Sequence, residues 1–115
     1  MKTASLINDL EYNDQKPAVK VLFDTDSSKE LRIAIKTGQV MKEHKTPFPI
    51  VVEIFEGHIS FGVQGSIHEL VKGDLVYLDG GVPHDLLAKA NSIVRLTISK
   101  NDTAERVKDV ADRSA

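Results

Sequence analysis

The chain has 115 residues, no cysteine, 15 basic against 17 acidic side chains, and a hydrophobic fraction of 41%. That length makes one domain the expectation, and the composition is globular rather than disordered. The missing cysteines exclude disulfides, a thiol nucleophile and Cys-ligated zinc, and the balanced charge gives no support to a nucleic-acid or anionic-membrane surface.

Short runs follow one another between frequent breaks. Residues 17–23 place Val19, Val21 and Phe23 on one face and Ala18, Lys20 and Leu22 on the other, and the polar stretch 24–29 interrupts them. Residues 31–36 alternate cleanly, with Leu31, Ile33 and Ile35 opposed to Arg32, Ala34 and Lys36. Thr37-Gly38 ends that run, and a short segment leads to His44. Pro47 and Pro49 then mark a loop or an edge, since proline cannot donate to a central ladder. Ile50–Glu56 is a strand of mostly β-branched residues ended by Gly57. Further strands are expected at 59–63, 67–71, 75–78, 84–90 and 93–99, each closed by turn residues. Asp102 with Glu105 three residues on fits a helix start, and Ala104, Val107 and Ala111 continue at helical spacing. Eight or nine short strands predict an all-β sandwich or barrel of two antiparallel sheets, with a core at about 17–99, an N-terminal arm at 1–16 and a short C-terminal helix at about 102–113.

The opening residues MKTASLINDLEYND lack the apolar run of a signal peptide, and no run approaches membrane-spanning length. A soluble cytoplasmic domain is the expectation.

Four histidines are available for chemistry: His44, His58, His68 and His84. Gly80-Gly81 precedes no helical pattern and is not a phosphate loop. His44 and His84 stand out because each sits where a strand meets a proline-containing loop. Alternate residues line a barrel, so histidines on two strands can meet at its mouth. Imidazole suits zinc, iron or nickel. The simpler reading of each ring alone is a pocket histidine hydrogen-bonded to backbone or water. His58 follows Gly57 at a tight turn and His68 lies in a strand of mixed faces, so both carry less weight.

Over about residues 31–99 the sequence resembles the cupin superfamily, in particular the small single-domain cupins with a double-stranded β-helix. The first cupin motif is G-x5-H-x-H-x3,4-E-x6-G. Gly38, His44 and Gly57 match its frame, while Thr46 stands at the second histidine and Ile50 at the glutamate. The second motif is G-x5-P-x-G-x2-H-x3-N. Gly73, Gly81 and His84 match it, with Asp79 at the proline and Ala88 at the asparagine.

The resemblance implies a jelly-roll barrel whose metal ligands are three histidines and a glutamate. Here it implies His44 and His84 as metal ligands of an incomplete shell. One divalent transition metal (zinc, iron or nickel) is the cofactor it suggests. If the segment through Pro49 keeps the pleat, His44, Thr46, Ile50, Val52 and Ile54 share parity and face inward, whereas Glu43, Glu53 and Asp85 do not. A pocket lined by Thr46, Ile50, Val52, Ile54, Tyr77 or Leu78, Leu86, Leu96 and one of Ile33 and Ile35 follows. Three functions stay open: a small-molecule-binding or sensing module, a metal-dependent dioxygenase or isomerase with a degenerate site, and a structural barrel with no ligand. The expected partner is a second copy, because open sheets leave edge strands to cover and two-fold dimers are common. The segment 4–10, with Leu6, Ile7 and Leu10, is the expected contributor to the partner's sheet.

Overall fold

The structure is a computed structural model, which describes residues 1–100. The expected helix at about 102–113 lies outside the described residues. Nine strands run in chain order: β1 (Ala18–Asp24), β2 (Ser28–Ile35), β3 (Val40–His44), β4 (Ile50–Glu56), β5 (His58–Val63), β6 (Ser66–Val71), β7 (Leu75–Leu78), β8 (His84–Ala88) and β9 (Ser92–Ser99). They form two antiparallel sheets, one of order β1-β2-β9-β4-β7 and one of order β3-β8-β5-β6.

The alternation in the sequence decides the inner faces. Ile33 and Ile35 of β2, Ile50, Val52 and Ile54 of β4, and Val94 of β9 meet Ile59 and Phe61 of β5, Leu70 of β6 and Leu86 and Ala88 of β8. All are nearly inaccessible to solvent. Burying an isoleucine or phenylalanine this fully stabilises the fold by about 1.5–3 kcal/mol each.

Two features of β1 and β2 differ from the sequence expectation. The break at 24–29 shrinks to a tight turn, because the Thr25 hydroxyl accepts the Ser28 amide at 3.0 Å and the Thr25 amide donates to Ser28 O at 2.8 Å. β2 can therefore start at Ser28. A bulge between Val21 and Phe23 shifts the β1 register against β2.

Five strands face four, so β1 overhangs the end of the opposite sheet. Val19 pairs with inward-facing Ile33, yet Val19 and Val21 stay 54% and 47% exposed.

The N-terminal arm does not form a strand. Residues 5–9 make one capped turn, in which the Ser5 hydroxyl accepts the amides of Ile7 and Asn8 and Asp9 adopts a positive φ of 55°. The carbonyl end of this turn rests on Arg32, which points to the outer face of β2 and is only 4% exposed. Its guanidinium donates to Asn8 O at 3.0 Å, Asp9 O at 3.3 Å and Ser5 O at 3.5 Å. A buried guanidinium needs acceptors, and here backbone carbonyls supply them. The turn at 5–9 is thus held on the chain's own sheet.

Replacing Arg32 with methionine keeps the volume but removes those donors. The variant is expected to lose about 1–3 kcal/mol of stability and to speed amide exchange at residues 7–10. Unchanged exchange there would contradict the clamp.

Candidate functional site

The site begins with the antiparallel pair β3 and β8. Met41 faces Leu86, and His44 faces His84. Three residues on β3 span two on β8, so a bulge absorbs one extra residue between Met41 and His44. Strict alternation would send Met41 and His44 to opposite faces, and the bulge puts both on the inner one.

His44 ends β3 and His84 begins β8, and the loops beyond them lock together. Gly81 takes a positive φ of 82° and its amide donates to Thr46 O at 2.7 Å. Gly80 lies so close to the Pro47 carbonyl that a side chain has no room. The Gly-Gly pair is therefore a docking surface for the loop after His44.

Held this way, the two imidazoles stand 4.4 Å apart between ring centroids and 58° from coplanar. His84 also stacks on Phe61, at 5.6 Å and 14°. His84 Nδ1 donates to Val82 O at 3.1 Å, and His44 Nδ1 donates to Lys42 O at 2.8 Å. A carbonyl accepts only from N–H, so each neutral ring carries its free lone pair on Nε2. Neither Nε2 has a hydrogen-bond partner among the described residues. No buried side-chain nitrogen or oxygen there is unpartnered, so the Nε2 of buried His84 keeps some contact with solvent. His44 is exposed, whereas His84 is 4% exposed. Burial holds the His84 imidazole below its ordinary pKa; nearby His44 pushes the same way, while the Val82 carbonyl and Asp85 oppose it.

Thr46 lies just past β3, and its hydroxyl accepts the Phe48 amide at 3.2 Å. Ile50, Val52, Ile54 and Leu86 pack in the shared core, each at most 4% exposed. Tyr77 requires a correction. It pairs with Val51 on the outer face of β7, is 61% exposed, and donates its hydroxyl to Asp79 at 3.0 Å. The register assigns Val76 and Leu78 to the inner face instead, opposite Val52 and Ile50. Both pack on the core, as do Leu96 and Met41.

The other histidines lie elsewhere. His58 faces outward, where its Nε2 meets Glu69 Oε1 at 2.7 Å. The Ser60 hydroxyl donates to the same carboxylate at 2.7 and 2.9 Å, and this bond, followed by the His58 contact, keeps the Glu69 carboxyl below its usual pKa. The serine is bonded to the carboxylate and not to the imidazole, so no activated nucleophile results. His68 pairs with Phe61 on β6 and thus shares the inner side of that sheet, but it is exposed. Asp85 points to the outer face, its carboxylate over Gly62.

Two imidazoles with Nδ1 anchored to carbonyls are oriented as metal-ligating histidines usually are. The complete shell implied by the cupin resemblance does not fit, however. Ile50 puts a hydrocarbon at the carboxylate position, and the Thr46 hydroxyl is already engaged. Among the described residues no group of three or more His, Asp or Glu could hold a metal ion.

No protein-family model matches this chain, and no curated protein matches it. Solved structures do. An RmlC-like cupin from Desulfovibrio desulfuricans has a TM-score of 0.80 at 20% identity, covering 86% of this chain and 96% of its own. A conserved Streptococcus pyogenes protein of unknown function has 0.76 at 18%, covering 89% and 90%. KdgF from Halomonas sp. has 0.71 at 20%, covering 81% and 91%. At these identities the likeness establishes the fold alone: a double-stranded β-helix barrel like that of the RmlC-like cupin structures. Among the described residues no helix is long and apolar enough to cross a membrane.

Two outcomes follow from this geometry. His84 binds a proton less readily folded than unfolded, so the unfolded chain binds more protons as pH falls below about 6.5. Its contribution to stability is full above that pH and is lost on acidification through the lower folded pKa. Denaturant melts between pH 8 and 5 should show this loss, and His84→Phe should reduce it; an unchanged slope would contradict the burial argument. Gly80→Ala, in turn, drives a methyl into the Pro47 carbonyl. It is expected to cost about 1–3 kcal/mol and to abolish cross-relaxation between the His44 and His84 ring protons. Retained cross-relaxation would show that the loop contact does not set the pair.

Proposed function

We propose that this protein is a small-molecule-binding or sensing cupin barrel whose ligand hydrogen-bonds to the His44–His84 pair. The observation that carries the reading is the shared anchoring of the two rings. Each Nδ1 is fixed by a backbone carbonyl two residues earlier, which leaves Nε2 as the free acceptor of each ring, and the rings stand 4.4 Å apart beside the apolar core. Few polar groups converging on an apolar surface is the usual composition of a small-molecule site. A purely structural barrel gains nothing from this arrangement, since a buried imidazole costs more than an aliphatic side chain of similar size.

A thermal-shift screen of small hydroxylated and amide-bearing compounds tests the proposal. A binder should raise the melting temperature of the parent and lose the effect in His44→Ala and in His84→Ala. Binders indifferent to both substitutions would contradict it.

The ring orientation also supports a second reading, in which a transition metal completes its coordination with water or with the ligand. Two protein ligands make a thin shell, because stable sites supply three or four. Thr46→His with Ile50→Glu should therefore raise zinc or nickel affinity at least tenfold, about 1.4 kcal/mol. A smaller change would mean that positions 44, 46, 50 and 84 do not converge.

A two-fold homodimer belongs to this proposal. Edge strand β7 exposes Leu75 and Tyr77 and suits a second copy; a monomer in sedimentation at micromolar concentration would contradict it.

A further inference from the structure

The overhang of β1 leaves a groove between the edge strands of the two sheets. It has a volume of about 430 Å³ and is lined by Lys16 and Val19 on one side and by Val40, Met41, Lys42 and His44 on the other. That volume is within the range of about 300–1,000 Å³ usual for small-molecule sites. Val19 and Val40 are 54% and 48% exposed, so the groove presents hydrocarbon to solvent. β3 runs from Val40 to His44, up to about 13 Å at strand rise, and so carries the groove from its apolar wall to the imidazole.

The polar groups of the groove are of two kinds. His44 Nε2 is an acceptor, because Nδ1 holds the ring proton against Lys42 O. The cations are Lys42, two residues before His44, and Lys16. Neither lysine forms an ion pair among the described residues. Glu43 is the acidic lining residue, so the two lysines leave one positive charge in excess.

From these observations we propose that the groove binds a small monoanionic α-hydroxy acid with an apolar body. The hydroxyl donates to His44 Nε2, the carboxylate accepts from Lys42 Nζ, and the hydrocarbon lies on Met41, Val40 and Val19. The inference rests on the reading of His44–His84 as a ligand site and adds to it a ligand class and a direction of approach, from the sheet edge rather than through the core. A simple carboxylate lacks the donor for Nε2, and a simple alcohol lacks the charge for Lys42.

Three probes of one shape separate these contributions: 3-phenyllactate, 3-phenylpropionate without the hydroxyl, and 3-phenyl-1,2-propanediol without the carboxylate. Binding is followed by amide and histidine-ring NMR shifts on the full chain. Phenyllactate is expected to shift His44, Val19 and Val40 together and to bind at least tenfold more tightly than either analogue. Lys42→Ala should reduce phenyllactate to the affinity of the diol while leaving the diol unchanged, and Lys42→Arg should restore most of the difference. Val19→Asp, on an exposed strand face, should weaken all three probes.

Shifts at His44 and His84 with none at Val19 and Val40 would overturn the groove and leave the histidine site standing. Shifts at the valines with none at either histidine would overturn both. Equal affinity for the three probes, or no binding at 10 mM, would overturn the ligand class. Concentration-dependent protection of Val19 and Val40 in the free protein would assign the groove to a second copy and overturn the proposal as well.

Discussion

The arrangement of this molecule turns on one contact, the docking of the loop before β8 onto the loop after β3. Gly81 donates to Thr46 O, and Gly80 fits against the Pro47 carbonyl only because it has no side chain. This contact closes the end of the β3–β8 ladder, where His44 and His84 are the terminal pair. Without it the ladder would fray at that end, and the two rings would have no fixed relation. With it, two flexible positions at strand termini become a rigid pair of acceptors.

Burial and sheet size complete the site. His84 is backed by Phe61 and the aliphatic core, so its charged form is disfavoured and its lone pair is kept available. His44 stands in solvent at the rim. The inequality of five strands against four leaves the inner face of β1 uncovered beside that rim. The same strand count that forms the barrel thus also opens it, at a place set by the end of the shorter sheet. On the far side of β2, Arg32 holds the turn at residues 5–9 against the outer face.

Much of this was legible in the sequence, and the reasons are specific. Alternation at Leu31, Ile33 and Ile35 and at Ile50, Val52 and Ile54 reports strands with one buried face, and all six are buried. The resemblance of the frames Gly38–His44 and Gly73–His84 to the two cupin motifs implied two histidines on different strands, and the ladder brings them together. Parity counting failed where the pleat is interrupted. The β3 bulge puts Met41 on the same face as His44, which no count of two predicts. Tyr77 was misassigned because a four-residue strand has no internal sign of which parity faces in, and only its register with β4 settles that. Gly80-Gly81 revealed a turn but not its partner, since contact with Pro47 depends on chain folding over more than thirty residues. Arg32 looked like one of many outward charges, because its acceptors are backbone carbonyls that carry no sequence signature.

The tautomers of His44 and His84 test the central claim most directly. Long-range proton–nitrogen correlation on the ¹⁵N-labelled protein at pH 8 distinguishes a protonated Nδ1 from a protonated Nε2 in each ring. The Lys42 and Val82 carbonyls require the proton on Nδ1 in both, which leaves Nε2 unprotonated in each ring. A proton on Nε2 in either ring would contradict the account, because that ring would then offer a donor where the site needs an acceptor.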